Sequence, residues 1–245
     1  MTSKKGEDVD AWRSAQGSIE NVTSTKKKPV RPRDGLRGRP RQRGAVLEPD
    51  SEDTDRKSRE RFDRWAPRYD RSAQQWFFFG PAHAAALEAA SAAGVTPKDV
   101  LDVGCGTGRL LERAARQWPK ARLAGIDAAP LMIAEARKKH DGDARFRFEV
   151  ADAVALPLGA SAVDLAFSTF SHHHWSDQQA GVREIARVLR PGGVFVLAHI
   201  RASLLPGPKA DSRQSLFENA GLNIVEQHRP LRLAGAVLLT AGRKR

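Results

Sequence analysis

The sequence predicts an α/β protein with a seven-stranded, mostly parallel sheet, helices on both faces and an antiparallel last strand. Three observations lead there. From residue 99 onward, short apolar runs alternate with helical segments, and strands separated by helices imply a parallel sheet with right-handed crossovers. Three successive strands each close on an aspartate (Asp102, Asp127, Asp152), which sets a row of acids along one end of the sheet. The last two apolar runs have no helix between them, so one of them turns back.

The elements follow in order. Residues 1–55 are rich in Lys, Arg, Ser, Pro, Gly and acids and lack apolar periodicity, so they read as a disordered tail. Residues 56–245 read as one folded domain, whose stretch 56–95 is a helical lid or substrate segment. Within it Phe62, Trp65, Ala66 and Tyr69 fall at helical spacing, interrupted by Pro67, and an alanine-rich helix covers 81–93. Strand one is 99–103 and its helix 108–117; strand two is 121–126 and its helix 130–139. Residues 145–150 alternate strictly and form strand three. Strand four is 162–168, followed by a helix over 177–189, a turn at Pro191-Gly192-Gly193 and strand five at 194–200. A helix over 213–220 is closed by Gly221, and 222–227 and 234–241 are the last strands.

Composition narrows the function classes. The net charge of +12 is uneven: residues 24–43 hold Lys26, Lys27, Lys28, Arg31, Arg33, Arg37, Arg39, Arg41 and Arg43 against Asp34 alone. The basicity therefore describes the tail, and loose, salt-sensitive contact of 24–43 with nucleic acid or anionic lipid is expected of it. Arg37-Gly-Arg-Pro-Arg41 also looks like the core of a minor-groove A·T hook, a short match in an arginine-rich stretch. No apolar run is long enough to span a membrane and no secretory leader is visible, so a cytoplasmic setting is expected. The single cysteine, Cys105, forms no internal disulfide.

The most informative local motif is Asp102-Val-Gly104-Cys-Gly106-Thr-Gly108 between strand one and its helix. Alternate glycines let the chain turn sharply and let a ligand approach the backbone, while the following helix start favours an anionic group. The third glycine comes one residue too early for the dinucleotide fingerprint. Asp127, 19 residues after Gly108, ends strand two where a carboxylate accepts from a ribose diol; capping the next helix is its structural alternative.

The chain here resembles the class I S-adenosylmethionine-dependent methyltransferases, with their Rossmann-like sheet. The resemblance rests on the glycine loop, Asp127, the Asp152-Ala-x-x-Leu-Pro157 run, the Arg183–Gly193 helix and turn, and the segment Phe62–Asp70, which is similar to quinone-biosynthesis-type and other small-molecule methyltransferases. It implies S-adenosyl-L-methionine as co-substrate, with Asp102, Gly104, Cys105, Gly106 and Gly108 in the donor loop. It also implies Ala128 and Met132 beyond strand two, Asp152 at the adenine amino group with Ala153 beside it, and Ser168 at the strand-four exit. Tyr69 lies near the donor in that picture, and Phe170 lines the donor pocket.

The exit of strand four reads Ser171-His172-His173-His174-Trp175. Consecutive residues do not converge on one tetrahedral ion, and no metal is expected. His172, His173 and Tyr69 are the candidates for proton handling, since a neutral imidazole accepts a proton near pH 7; cleft lining and capping are the alternative for the histidines. Trp76-Phe-Phe-Phe79 reads as a core anchor in preference to a substrate wall. The functional expectation is methyl transfer to a small molecule by in-line displacement. The competing expectations are a nucleic-acid or protein acceptor recruited by the basic tail, or a nucleotide-dependent oxidoreductase.

Overall fold

The computed structural model describes residues 60–66, 68–71, 75–200, 211–228 and 237–245. The expectations for the 1–55 tail, for the 24–43 basic stretch and for the start of the last strand at 234–236 lie outside these residues. A leading helix, α1 (60–66), and a π-helical turn (Gln75–Phe79) precede α2 (Gly80–Ala92). Then come β1 (Asp99–Val103), α3 (Arg109–Gln117), β2 (Arg122–Asp127), α4 (Pro130–Lys139), β3 (Phe146–Val150) and β4 (Val163–Thr169). The chain ends with α5 (Gln178–Val188), β5 (Leu189–Ile200), α6 (Asp211–Glu218), β6 (Leu222–His228) and β7 (Val237–Lys244).

The sheet order is β3-β2-β1-β4-β5-β7-β6. Pairs up to β5 are parallel, and β7 inserts antiparallel between β5 and β6, so the last strand is the reversed one. Alternation along the strands divides the core. Val194, Val196 and Ala198 of β5 join Val100, Leu165 and Phe167 under the small residues of α2 and the leucines of α3. Phe195, facing the other way, stacks on Phe217 of α6 at 5.2 Å, so both sheet faces are covered. Phe167 is fully buried, and its truncation to alanine would cost about 3–5 kcal/mol.

Pro191-Gly192-Gly193 departs from expectation. It does not precede β5 but sits inside it, as an irregularity that the pairing skips: Val163 faces Leu189, and Leu165 already faces Val194. A Cβ on Gly193 would stand 2.9 Å from the Arg190 carbonyl oxygen, so the bulge tolerates glycine alone there. At the amino ends of the strands, buried Asp99 is held by Arg122 at 2.6 Å and Arg190 at 2.9 Å. The carboxyl ends are left to form the site.

Candidate active site

The strand order reverses between β1 and β4, which is where an open α/β sheet binds its ligand. A cavity of about 590 Å³ opens there. The glycine loop forms its floor. Gly104, Gly106 and Gly108 have φ of +75°, +54° and +80°, values that favour glycine over any other residue. Their Cβ positions differ in what they meet. At Gly104 a Cβ would lie 2.2 Å from the Ser171 Cβ, and at Gly108 it would lie 2.9 Å from the Phe148 ring; both glycines make room for the protein itself. Only Gly106 leaves its methyl position open toward the cavity, with the Tyr69 ring at 3.6 Å.

Asp127 stitches this floor together. Its Oδ2 accepts the Gly106 N–H at 2.8 Å and its Oδ1 accepts the Ala129 N–H at 2.9 Å. It does not act as the helix N-cap: that residue is Ala129, so the Asp127 bond is a local turn beside α4. Burial raises the Asp127 pKa, and the two N–H donors partly offset the rise. Asp102 has no such relief. It is 1% exposed, its Oδ1 has no hydrogen-bond partner among the described residues, and burial together with the Asp127 charge pushes its pKa up to about 8. Asp152 follows β3 and accepts the Val154 N–H at 3.2 Å.

Of the residues singled out from sequence, Tyr69, Gly104, Gly106, Asp127, Ala128, Met132, Asp152, Ala153, Phe170 and His173 line the cavity. Asp102, Cys105, Gly108, Ser168 and His172 do not. Ser168 is fully buried and meets Ser171 Oγ at 2.7 Å, while Ser171 donates to the Val103 carbonyl at 2.8 Å. Burial holds the Cys105 thiol well above its ordinary pKa, and its sulfur packs beside Gly125. His172 is buried, and its neighbours His173 and His174 face the cavity instead. Burial lowers the pKa of His173 and takes that of His174 down to about 4, so both are neutral at pH 7. The carboxylate beside the start of α3 belongs to the chain: Asp70 Oδ1 accepts from Thr107 Oγ1 at 2.6 Å.

The core-anchor expectation for the aromatic run holds for Phe78 and Phe79 and fails for Phe77, while the Trp76 side chain lies outside the described residues. Phe77 is 81% exposed, whereas Phe78 and Phe79 line the cavity as they pack on the core edge. Both meet Phe170, at 4.8 and 5.3 Å between ring centroids. Phe170 has a φ of +56°, an outlier for a bulky side chain and the kind of strain that concentrates at functional sites. Sequence reasoning missed Arg61, Ser171 and Ile200 as lining residues. Arg61 carries no motif; Ser171 opens the strand-four exit and Ile200 ends a strand at the site end of the sheet, and those positions were the available signals. Among the described residues, no group of three or more His, Cys, Asp or Glu side chains is placed to hold a metal, and no helix is long and apolar enough to cross a membrane.

Residues 100–193 match the family model described as a methyltransferase domain. Over 109 residues the chain is 39% identical to the malonyl-[acyl-carrier protein] O-methyltransferase of Hahella chejuensis, covering 44% of this chain and 39% of that one. It is 34% identical over 152 residues to the demethylmenaquinone methyltransferase of Deinococcus radiodurans, covering 60% and 62%. The chain thus spans 39% and 62% of the lengths of these two relatives, less than two thirds of each. The fold matches that of the 1,6-didemethyltoxoflavin-N1-methyltransferase of Burkholderia thailandensis, solved with bound 1,6-didemethyltoxoflavin and S-adenosylhomocysteine, with a TM-score of 0.64 at 20% identity over 82% of this chain and 93% of that one. Residues 100–193 thus match a methyltransferase domain, and the sheet shares the fold of solved methyltransferases.

Proposed function

We propose that this protein transfers a methyl group from S-adenosylmethionine to a small, largely apolar acceptor. The observation that carries the reading is the cavity in which the open face of Gly106, the carboxylates of Asp127 and Asp152, and the aromatic wall of Phe78, Phe79 and Phe170 meet. The residues fit a cationic nucleoside on two counts. Gly106 offers a bare backbone where a side chain would intrude, and Asp127, whose pKa burial raises, gains from a positive ligand. Asp127 would hold the ribose hydroxyls, and Asp152 with Ala153 the adenine edge.

The donor supplies an electrophilic methyl group on a sulfonium, so the chain needs no nucleophile of its own. Its task is to align the acceptor and exclude water, and positioning of this kind contributes about 7–11 kcal/mol in favourable cases. The aromatic wall and Ile200 would orient the acceptor. The neutral imidazoles of His173 and His174 stand on the same cavity wall and would take a proton where the acceptor must lose one. Tyr69 closes the space above Gly106. The basic 24–43 stretch would add only weak electrostatic attraction to polyanions, in a cytoplasmic setting.

Isothermal titration with S-adenosylhomocysteine tests the reading. The wild-type protein is expected to bind it with 1:1 stoichiometry, and Asp127→Ala to bind it more than tenfold more weakly, since the variant loses the ribose acceptor and frees the Gly106 and Ala129 N–H groups. Absence of wild-type binding at millimolar ligand would overturn it.

A further inference from the structure

The leading segment repeats an aromatic–aspartate pair, Phe62-Asp63 and Tyr69-Asp70, seven residues apart. The two aromatic rings share one apolar patch with Ala66, Ala129 and Met132. The two aspartates make the polar ties. Asp63 Oδ1 accepts the Leu131 N–H at 2.9 Å, in the first turn of α4, where the N-cap Ala129 has no side chain to offer. Asp70 makes the larger connection. Its Oδ1 accepts from Thr107 Oγ1 at 2.6 Å, its Oδ2 meets Lys139 Nζ at 2.5 Å, and Arg109 Nε lies 3.7 Å away. Lys139 Nζ also donates to the Thr107 carbonyl at 3.0 Å, so three chain segments close one network.

We infer that Asp70 is a positioning residue: with Thr107 and Lys139 it forms a latch that holds Tyr69 over Gly106 and retains the ligand in the nucleoside half of the cavity. The inference rests on the donor reading above. Each partner belongs to a different wall of the cavity. Tyr69 adjoins Asp70, Gly106 adjoins Thr107, and Lys139 ends the helix whose Met132 faces the cavity. A solvent-exposed ion pair would contribute little to any property. This one is about 30% exposed on each side and is anchored by a hydroxyl on Thr107, which is only 2% exposed, so it is partly shielded from salt and fixed in geometry. The sheet and its core do not depend on it. Its loss should therefore act on how tightly and how long a ligand stays, and leave folding in place.

The test uses the full chain with Asp70→Asn, Asp70→Glu, Asp70→Lys, Lys139→Asp and the double exchange of Asp70→Lys with Lys139→Asp. Binding of S-adenosylhomocysteine is read by titration and its release by stopped-flow tryptophan fluorescence, with Trp65 and Trp175 lining the cavity. Urea midpoints monitor folding. In the ligand-free protein, trypsin cleavage after Arg68 and Arg71, which flank the latch, reports opening of the segment. Asp70→Asn is expected to raise both Kd and the release rate roughly tenfold, the scale of one charge-assisted hydrogen bond. It should also speed cleavage and leave the urea midpoint unchanged. Asp70→Glu should recover part of the loss, and the double exchange should bind more tightly than either single reversal. Wild-type kinetics in Asp70→Asn, or a double exchange no better than its singles, overturns the latch. If the wild type binds no S-adenosylhomocysteine the donor reading fails, and the cleavage assay then decides the latch alone: faster cleavage of Asp70→Asn supports it, and equal cleavage overturns it.

Discussion

Gly106→Ala separates what the glycine loop does for the fold from what it does for a ligand. The backbone at Gly106 has a φ of +54°, and a non-glycine residue held in the left-handed region costs about 1–2 kcal/mol. The smaller entropy of the unfolded alanine chain offsets about 0.4–1 kcal/mol of that. The added methyl meets only Tyr69 ring carbons, at 3.6 and 3.9 Å, which is ordinary contact. The net loss is therefore about 1 kcal/mol, small beside the ~5–15 kcal/mol of a typical domain, and the variant folds. Its methyl nonetheless points into the cavity where the ligand backbone contact belongs. Overfilling a packed contact costs about 1–3 kcal/mol, or roughly 5- to 150-fold in affinity. Titration with S-adenosylhomocysteine alongside urea denaturation measures both quantities. Gly104→Ala is the control: its Cβ would fall 2.2 Å from the Ser171 Cβ and break the Ser168–Ser171–Val103 chain, so it should lose stability first. Wild-type affinity in a folded Gly106→Ala protein would refute the placement of the ligand on this bend.

Two further predictions concern pH. Asp102 keeps its proton up to about pH 8 in the folded protein and only to about 3.8 when unfolded, so it costs nothing below about pH 4, destabilises progressively from there to about pH 8, and exerts its full cost above. Asp102→Asn removes this slope, and urea midpoints across pH 4–9 should diverge from the wild type as pH rises; parallel curves would contradict the assignment. His83, buried in α2, has its pKa lowered to about 3, mainly by burial and then by the charges of Arg113 and Arg109. Its cost begins below about pH 6.5, where the unfolded chain takes up a proton and the native protein does not, and grows toward pH 3. His83→Gln should flatten that acid limb, read from the same urea midpoints between pH 6.5 and 4.

Much of the scaffold was legible because its signals are local. The limits of β1 and α4 coincide with those read from apolar runs and from Pro130, and Asp127, Asp152 and Gly106 reach the cavity as their motif positions implied. What the sequence hid was tertiary. Gly104 answers to Ser171, and Gly108 to Phe148, each in a distant part of the chain, so three glycines that look alike have different tasks. The Asp70–Thr107 and Asp63–Leu131 bonds join residues 37 and 68 apart and leave no periodic trace. In the His172–His174 triplet a short 3₁₀ turn decides which imidazoles face the cavity, and three identical residues carry no information about that turn. Pro191-Gly192-Gly193 reads as a turn ahead of strand five, and a register shift between β4 and β5 accommodates it inside the strand instead.

A crystal structure of the protein grown with S-adenosylhomocysteine locates the donor directly. The ribose hydroxyls are expected within hydrogen-bond distance of Asp127, the adenine beside Asp152 and Ala153, and the thioether sulfur facing the space bounded by Phe79 and Phe170. Ligand density elsewhere on the molecule, or a Gly106 bend covered by protein while the ligand is bound, would contradict this placement.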